Sequence, residues 1–193
     1  MTFILGLTGS IGMGKSTTAN LFKKHGVPVY DADQTVHDLY NGRIVPLIEA
    51  TFPGSTKDGV VDRAKLSTHV VGHPDKLKVL EAIVHPAVQE EQDRFIQQHR
   101  DSPLVVLDIP LLFENGKDRF CDAVVVVSTD AITQRKRVMM REGMTDEKLD
   151  SLLSRQMPDS EKRKKAQFII DTSLDIPDAE RQVLSILDEL SAR

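Results

Sequence analysis

A glycine-rich run between an apolar stretch and a helical stretch constrains the fold of this chain more than any other feature. Residues 9–16, GSIGMGKS, carry glycine, lysine and serine at every fixed position of the pattern G-x-x-x-x-G-K-[ST]. The apolar residues 3–7 before the run predict a buried strand, and the pattern predicts a helix that begins near Lys15. A strand, a glycine-rich loop and a helix in this order predict an α/β fold whose first loop binds phosphate.

The loop offers three kinds of group that bind a nucleotide. Its glycines let successive backbone N–H groups turn toward one anion, and the positive end of the following helix adds to the attraction. Lys15 can reach the β- and γ-phosphates, and the hydroxyl of Ser16 can ligate Mg²⁺. The alternative is a glycine-rich turn with an incidental lysine. The residues predicted to hold the nucleoside triphosphate are Gly9, Ser10, Ile11, Gly12, Met13, Gly14, Lys15, Ser16 and Thr17.

Composition and charge limit the partners of the chain. Its 193 residues, 40% of them hydrophobic, predict one compact unit with a sizeable core. Lysine and arginine total 25 against 29 acidic residues, and the net charge of −4 gives no general attraction to nucleic acid or to an anionic membrane. The single cysteine, Cys121, rules out an intramolecular disulfide and favours a reducing, cytoplasmic setting. No apolar stretch reaches about 18 residues, so we expect a soluble, unprocessed protein.

Short apolar runs alternate with helical patterns along the chain. Runs rich in valine, isoleucine and leucine predict strands buried on both faces of a parallel sheet, at residues 3–7, 27–30, 104–107, 123–127 and 168–170. Between the second and third runs no clear strand is predicted, and helices are expected at 32–40, 45–52, 62–71, 74–84 and 86–100. Further helices are expected at 130–142, 145–156 and 176–190. The pattern predicts one sheet with a helical subdomain beside it.

Acidic residues follow the second and third predicted strands. Asp31 and Asp33 lie just past the second strand, where a carboxylate could take the proton of an acceptor hydroxyl during phosphoryl transfer. They could equally cap the helix that begins near Ala32, and the local sequence leaves the two roles open. Asp108 ends the third strand, where a carboxylate can hold the hydration shell of Mg²⁺, although apolar strands that end in aspartate are common.

Two basic runs follow the fourth predicted strand. Arg137 and Arg141 lie one turn apart on the predicted helix 130–142, and their guanidinium groups could clamp phosphate oxygens. A solvated basic face is the alternative for that helix. Residues 162–165, KRKK, are interpreted as a solvated face.

The histidines give weaker signals. His85-Pro86 joins two predicted helices, and His85 could contact a ligand or serve the helix junction. His69 and His73 have the i, i+4 spacing of metal ligands. Because Gly72 and Pro74 interrupt that helix, we predict no zinc site.

Several sequence strings occur here in a fixed order. They are residues 8–17 (TGSIGMGKST), Asp31-Ala32-Asp33, Ile83-Val84-His85-Pro86, residues 108–114 (DIPLLFE), and Gln134 through Arg137 with Arg141. In this combination the chain resembles the dephospho-CoA kinase family along nearly its whole length. The resemblance implies phosphorylation of the ribose 3′-hydroxyl of dephospho-CoA by ATP, which gives CoA and ADP in the last step of coenzyme A synthesis. It also implies a P-loop core with a five-stranded parallel sheet, a helical acceptor-binding region and a mobile helical lid.

The resemblance also implies a role for each matching residue. It favours Asp33 over Asp31 as the catalytic carboxylate, with Lys15 as the phosphate-binding lysine and Arg141 as a lid arginine. Other expected contacts are Arg137 to the nucleotide; Thr8, Asp33, His85, Leu111, Leu112 and Phe113 to dephospho-CoA; and Ser16 and Asp108 to Mg²⁺.

The implied organisation is one domain of residues 1–193 with three regions. The core comprises about 1–31, 104–114, 122–130 and 167–193, the acceptor-binding region about 32–103, and the lid about 131–166. Two residues depart from the family's common pattern: Met13 stands where serine is frequent, and Thr172 where asparagine is frequent. The backbone N–H of Met13 still serves phosphate, whereas the change at Thr172 leaves open a side-chain contact to adenine or to the nearby loop.

Two other functions fit parts of the sequence. A nucleoside or nucleoside monophosphate kinase would share the same core, and a regulatory module would bind the nucleotide without transferring phosphate. A GTPase is not expected, because the chain has no Asn-Lys-x-Asp string. The expected partner is dephospho-CoA as a small-molecule substrate, with no nucleic acid or membrane, and the expected assembly is a monomer or weak homo-oligomer.

Overall fold

The computed structural model describes residues 2–192 and divides the chain into two units. One unit runs through Tyr30 and resumes at His99, and we call it the sheet unit; the other, the helical unit, comprises Asp31–Gln98. In chain order the elements are β1 (Phe3–Thr8), α1 (Lys15–Lys24), β2 (Val29–Asp31), α2 (Ala32–Tyr40), α3 (Val45–Thr51), β3 (Thr56–Lys57), β4 (Val60–Val61), α4 (Arg63–Val70), α5 (Pro74–Gln98), β5 (Leu104–Asp108), a 3₁₀ helix (Lys117–Phe120), β6 (Ala123–Ser128), α6 (Ala131–Met139), α7 (Asp146–Leu153), α8 (Asp159–Lys165), β7 (Phe168–Asp171) and α9 (Ile176–Ser191).

All five predicted strands are present, and they form one parallel sheet in the order β2-β5-β1-β6-β7. β1 is central: Leu5 pairs with Val106 of β5 on one side and with Ala123 of β6 on the other. The register also places Leu7 of β1 beside Asp108 at the end of β5. The loop after β1 therefore begins next to that carboxylate, and the predicted fold class is confirmed.

Apolar side chains cover both faces of this sheet. Every residue of β5 and of β6 is buried. On one face, alternate strand residues pack against α1 and α9, where Phe22 and Val183 have no exposed surface. Burial of both faces explains why these strands are continuous apolar runs and not alternating ones.

The helical unit has a core of its own. The ends predicted for its first three helices agree with α2, α3 and α4 to within one residue. The buried side chains of this core are Leu39, Ile44, Ile48, Phe52, Val61, Leu66, Leu80, Val84 and Ala87. The unit therefore has the apolar interior that a helical subdomain requires.

The prediction of two helices that meet at Pro86 is wrong. α5 is one helix of 25 residues with Pro86 in its interior. Proline cannot donate a hydrogen bond to the carbonyl four residues earlier, and its ring crowds that carbonyl, so the sequence favours a break. The helix continues because Leu80, Val84 and Ala87, on both sides of the proline, are buried in one core, and this packing outweighs the local cost.

A β-hairpin, which the sequence reading missed, lies between α3 and α4. β3 pairs antiparallel with β4, and the two residues between them, Asp58 and Gly59, have φ of 53° and 81°. Asp-Gly is favoured in such turns because both central residues need a positive φ. Each strand has only two residues, which is too short for a periodic signal.

The three helices predicted at 130–142, 145–156 and 176–190 are present as α6, α7 and α9, the first two with earlier ends. Residues 159–165, predicted only as a basic segment, form the additional helix α8. Within residues 2–192, no helix is both long enough and apolar enough to cross a membrane.

Cys121 is expected to react slowly with thiol reagents. Burial, together with the neighbouring carboxylates of Asp118 and Asp122, raises its pKa from 9.0 to about 12. At pH 8 the thiolate fraction should then be about 10³-fold smaller than in the unfolded chain, because each pKa unit changes it about tenfold. Ellman's reagent, used on the native and the urea-unfolded protein, measures this difference. Native labelling within about tenfold of the unfolded rate would contradict the expected pKa.

Candidate active site

The phosphate loop leaves the sheet at the end of β1 and enters α1 at Lys15. Gly12 and Gly14 have φ of 78° and 92°, where residues with a side chain are strained. A Cβ on Gly12 would lie 2.5 Å from Cγ2 of Val138 and 3.0 Å from the carbonyl oxygen of Gln134. The backbone shape of the loop therefore requires these glycines, and the close approach of α6 adds a second requirement at Gly12.

Gly12→Ala is expected to lower the free energy of unfolding by about 1–3 kcal/mol through overpacking, in addition to backbone strain. It should also weaken ATP binding, because the loop must move away from α6. Gly26→Ala is the matched control: Gly26 has the same φ of 78°, but a Cβ there meets nothing within 4 Å. Urea unfolding and ATP titration calorimetry check both variants. Equal losses of stability in the two variants would contradict the role of the contact with α6.

Lys15 and Asp108 form an ion pair at the carboxyl ends of the interior strands β1 and β5. The lysine side chain is 16% exposed and the carboxylate 4%, so solvent screens their charges weakly. Ser16, the next residue of α1, is exposed, and within residues 2–192 its hydroxyl has no hydrogen-bond partner. The start of α1 thus supplies a cation and a free hydroxyl, and the end of β5 supplies the carboxylate that pairs with the cation.

The two oxygen ligands suit Mg²⁺ in their chemistry. Mg²⁺ prefers oxygen, and in nucleotide sites it is held by one or two carboxylates together with phosphate oxygens and water. The Ser16 hydroxyl and the Asp108 carboxylate meet this requirement. The residues present therefore fit the metal.

Two glutamine side chains bind the backbone of Ile11 in the phosphate loop. Gln134 Nε2 donates to the Ile11 carbonyl oxygen at 2.7 Å, and the Ile11 N–H donates to Gln156 Oε1 at 3.2 Å. Gln134 lies on α6 and Gln156 lies between α7 and α8, so two separate parts of residues 131–166 contact the same loop residue. The sequence reasoning gave Gln156 no role, because no pattern marks a side chain that binds a distant backbone group.

Met13, the unusual residue of the loop, is buried, with 3% of its surface exposed. Its sulphur accepts a hydrogen bond from the N–H of Thr129, which follows β6, at 3.2 Å. Its carbonyl oxygen accepts one from the Thr172 hydroxyl at 2.7 Å. Through its sulphur and its carbonyl oxygen, Met13 therefore fixes the loop to residues that follow β6 and β7.

Thr172 joins the phosphate loop to Arg137 of α6. One terminal nitrogen of Arg137 donates to the Thr172 hydroxyl at 2.9 Å and the other to its carbonyl oxygen at 2.6 Å. The guanidinium is thus oriented by two hydrogen bonds, and the Thr172 side chain is engaged with protein groups. Arg137 lies where the sequence reasoning expected a nucleotide contact, beside the phosphate loop.

A cleft of about 260 Å³ opens beside these residues. It is lined by Gly14, Thr17, Thr18, Arg137, Thr172, Leu174, Asp175, Ile176 and Ala179. Leu174 and Ile176 are among the exposed large apolar side chains, so the cleft has apolar as well as charged lining. A planar aromatic ring with polar edges suits such a cleft.

Arg141 does not share a helical face with Arg137, and that prediction is wrong. α6 ends at Met139, and Arg141 lies beyond it, in the turn that leads through Gly143 to α7. Gly143, in this turn, has a φ of 69°, a backbone conformation that glycine adopts readily. Arg141 is exposed and has no ion pair among the described residues, whereas Arg135 pairs with Asp146.

The loop of residues 109–116 follows β5 and is fixed at its start. The Thr8 hydroxyl donates to the carbonyl oxygen of Pro110 at 3.0 Å. Three residues of this loop are expected to bind dephospho-CoA. Leu111 is 36% exposed, whereas Leu112 and Phe113 are buried, with 0% and 7% of their surface exposed. Leu111 is therefore the member of this group that presents surface.

Lys162 contradicts the interpretation of residues 162–165 as a solvated face. Its side chain has no exposed surface, and its ammonium nitrogen lies 2.9 Å from Glu114 Oε1 of loop 109–116. The other three basic residues of the run are exposed, as expected. Lys162 is on the side of α8 that packs against β6. This packing decides which residue of the basic run is buried, and the run itself carries no sign of it.

In the helical unit, the two candidate carboxylates differ in their bonding. Asp31 is the N-cap of α2, where its side chain accepts a hydrogen bond from the N–H of Gln34 at 2.9 Å. Asp33, in the first turn of α2, is exposed, and within residues 2–192 its carboxylate has no hydrogen bond or ion pair. Capping therefore occupies Asp31 and leaves Asp33 available for other chemistry. His85 is exposed on α5.

A central strand followed by this phosphate loop, with a lysine and carboxylate pair beside it, is the arrangement of a P-loop nucleotide-binding protein. A shikimate kinase structure from Bacteroides thetaiotaomicron has the same fold, with a TM-score of 0.52 and 15% identity over 98% of both chains. The family model described as "Dephospho-CoA kinase" matches residues 3–178. The chain belongs to the dephospho-CoA kinase family.

Close relatives extend over almost the whole chain. A dephospho-CoA kinase of Rhodopseudomonas palustris strain HaA2 is 56% identical over 187 residues, which are 96% of this chain and 94% of the relative. One from Brucella melitensis is 53% identical and covers 98% of this chain and 96% of its own. The crystal structure of TT1252 from Thermus thermophilus has a TM-score of 0.87 and 35% identity, with 98% of both chains covered.

Proposed function

We propose that the protein transfers the γ-phosphoryl group of ATP to the ribose 3′-hydroxyl of dephospho-CoA, producing CoA and ADP. The observation that carries this proposal is the match of the family model to residues 3–178, together with relatives of that name at more than half identity. The phosphate loop alone supports only nucleotide binding, because unrelated kinases and sensors share it.

ATP binding rests on the loop and the cleft beside it. The N–H groups of Gly12 and of residues 14–17 and the ammonium of Lys15 bind the phosphates, whereas the Met13 N–H donates to the carbonyl oxygen of Ser10 at 3.2 Å. The base occupies the cleft between Arg137 and Ile176. In binding phosphate, Lys15 exchanges part of its interaction with Asp108 for the negative charge of the nucleotide. Mg²⁺ held by Ser16 and Asp108 would neutralise charge on the β- and γ-phosphates.

Asp33 is the proposed general base. Phosphoryl transfer needs a group that orients the attacking hydroxyl and takes its proton, and an ionised carboxylate does both. Its exposure and the lack of a partner within residues 2–192 support this role, since a carboxylate engaged in capping would be a poorer acceptor. His85 and Leu111 are proposed to bind the acceptor, whereas the buried Leu112 and Phe113 support the loop that presents Leu111.

The arginines of residues 131–166 are proposed to stabilise charge during transfer. Arg137 is oriented by Thr172 beside the loop, and Arg141 lies on an exposed turn that can close over the phosphates. Closure would exclude water, which competes with the ribose hydroxyl as a phosphoryl acceptor. We also propose that the protein works in the cytoplasm as a monomer or a weak homo-oligomer.

An acceptor panel tests the proposed substrate. The protein is incubated with radiolabelled ATP, Mg²⁺ and one acceptor at a time: dephospho-CoA, a nucleoside, a nucleoside monophosphate, or shikimate. We expect kcat/KM for dephospho-CoA to exceed every other value by at least about 10³-fold, because a site that bonds to the acceptor's polar groups rejects analogues lacking them. Preference for a nucleoside monophosphate would replace the proposal with that kinase activity. ATP binding without transfer to any acceptor would indicate a regulatory module.

A further inference from the structure

A lysine with no exposed surface is the least expected charge in the sheet unit. Lys162 Nζ lies 2.9 Å from Glu114 Oε1 and has no other polar partner within residues 2–192. A charge buried this fully is costly unless it is paired, so the Lys162 ammonium requires the Glu114 carboxylate beside it. The mechanism proposed above uses neither residue.

Glu114 connects two segments that are far apart in sequence. It lies in loop 109–116, and the same oxygen, Oε1, accepts a hydrogen bond from the N–H of Met157 at 2.7 Å. Met157 belongs to residues 154–158, which lead from α7 into α8 and which we call the return segment. One carboxylate oxygen thus holds loop 109–116, the return segment and α8 together.

Both connected segments also contact the nucleotide-binding residues. Loop 109–116 begins directly after Asp108, the partner of Lys15, and its Pro110 carbonyl accepts a hydrogen bond from Thr8. The return segment contains Gln156, which accepts a hydrogen bond from the N–H of Ile11. The pair of Glu114 and Lys162 therefore connects two segments, of which one contacts Thr8 at the end of β1 and the other contacts Ile11 in the phosphate loop.

α8 is fixed to the sheet by a contact separate from the pair. In the described part of the sheet unit, three buried side-chain oxygen atoms have no hydrogen-bond partner: Glu114 Oε2, Thr129 Oγ1 and Asp159 Oδ1. The second oxygen of Asp159 accepts a hydrogen bond from the Ser128 hydroxyl at 2.7 Å, which fixes the first turn of α8 to β6. With α8 held in this way, loss of Lys162 or Glu114 leaves a charge that water does not readily reach.

We infer that Lys162 and Glu114 are positioning residues for phosphoryl transfer, acting by fixing loop 109–116 to the return segment. The inference rests on the proposed function, in which that loop supports the acceptor and residues 131–166 close over the phosphates. Neither residue lies in the phosphate loop. Loss of the pair should therefore impair transfer to the acceptor far more than it impairs binding of ATP.

Three variants test the pair: Lys162→Met, Glu114→Met, which removes the acceptor of the Met157 N–H together with the charge, and the double variant. Each single variant should lower kcat/KM for dephospho-CoA by at least about tenfold and leave the dissociation constant of a fluorescent ATP analogue within about threefold, because binding and transfer depend on different contacts. Both singles should also melt at lower temperature, since each leaves a buried charge. Lys164→Met is the matched control, because Lys164 is exposed on the same helix, and its kinetics and melting temperature should equal those of the wild type.

The double variant separates positioning from stability. It removes both charges and leaves neither one buried without a partner, so we expect it to recover most of the lost melting temperature. Its kcat/KM should stay at least about tenfold below the wild-type value, because the connection is still missing. If the double variant recovers its melting temperature and its kcat/KM is within about twofold of the wild-type value, the inference is overturned. The loss of kcat/KM in the single variants would then be a consequence of their lower stability. Where a single variant fails to fold, the kcat/KM of the double variant, compared with that of the wild type, tests the inference.

The rate of backbone amide hydrogen exchange is measured without dephospho-CoA and so does not depend on the proposed substrate. In the double variant we expect faster exchange at residues 109–116 and 154–158 than in wild type, and no change in Lys164→Met. Wild-type protein that fails to phosphorylate dephospho-CoA would contradict the proposed function alone. In that case unchanged exchange in these two segments would overturn the inference about the pair, and faster exchange would support it.

Discussion

Asp33→Asn is expected to lower kcat by about 10²- to 10⁴-fold, the usual contribution of a general base. Asparagine keeps the size of the side chain but cannot take the proton of the ribose hydroxyl. The affinity for ATP should change by less than about threefold, because Asp33 makes no proposed contact with the nucleotide. Steady-state kinetics with dephospho-CoA, together with calorimetric titration of ATP, measures the two quantities separately.

Asp31→Asn is the matched control for this experiment. The substitution is identical and lies two residues away, but Asp31 caps α2, and asparagine is an equally good cap. Its kcat and its free energy of unfolding should therefore stay close to the wild-type values. If Asp33→Asn retains near-normal turnover, Asp33 is not the base, and the same loss of turnover in both variants would point to a general disturbance of α2.

Lys15→Met is expected to lower kcat/KM by at least about 10²-fold, because a cation next to the developing charge stabilises the transition state. Methionine keeps the length of the unbranched side chain and removes its charge. The variant also leaves the Asp108 carboxylate, only 4% exposed, without its lysine, so that carboxylate should repel the phosphates of ATP. We therefore expect weaker ATP binding as well, which calorimetric titration measures.

Lys23→Met controls for loss of a positive charge on α1. Lys23 is exposed near the end of the same helix, two turns from the phosphate loop. Its removal should change neither ATP affinity nor turnover, since an exposed charge at that distance is well screened. ATP affinity and turnover within about threefold of wild type in Lys15→Met would contradict the role given to Lys15.

The sheet and the phosphate loop could be predicted because their signals are local. Five apolar runs mark strands buried on both faces, and each is a strand of the sheet. The glycines of the loop are required by backbone angles, which leaves a fixed spacing in the sequence. Asp31 and Asp33 also stand out at the end of a strand, but only the structure distinguishes the capping residue from the free carboxylate.

The features that could not be predicted depend on contacts between distant residues. Pro86 favours a helix break locally, and only the core on both sides of it explains an unbroken α5. Lys162 is one of four basic residues in a row, and its burial follows from how α8 packs on β6. Gln156 binds the backbone of Ile11, 145 residues away, a contact that leaves no pattern in either segment.

Identification of the reaction product tests whether the phosphoryl group of ATP is transferred to the ribose 3′-hydroxyl of dephospho-CoA. The protein is incubated with ATP, Mg²⁺ and dephospho-CoA, and the products are separated and examined by mass spectrometry and phosphorus NMR. The predicted result is CoA with its new phosphate on the ribose 3′-oxygen, formed in equal amount with ADP. ADP without CoA, phosphate on another oxygen, or no turnover of dephospho-CoA would contradict the account.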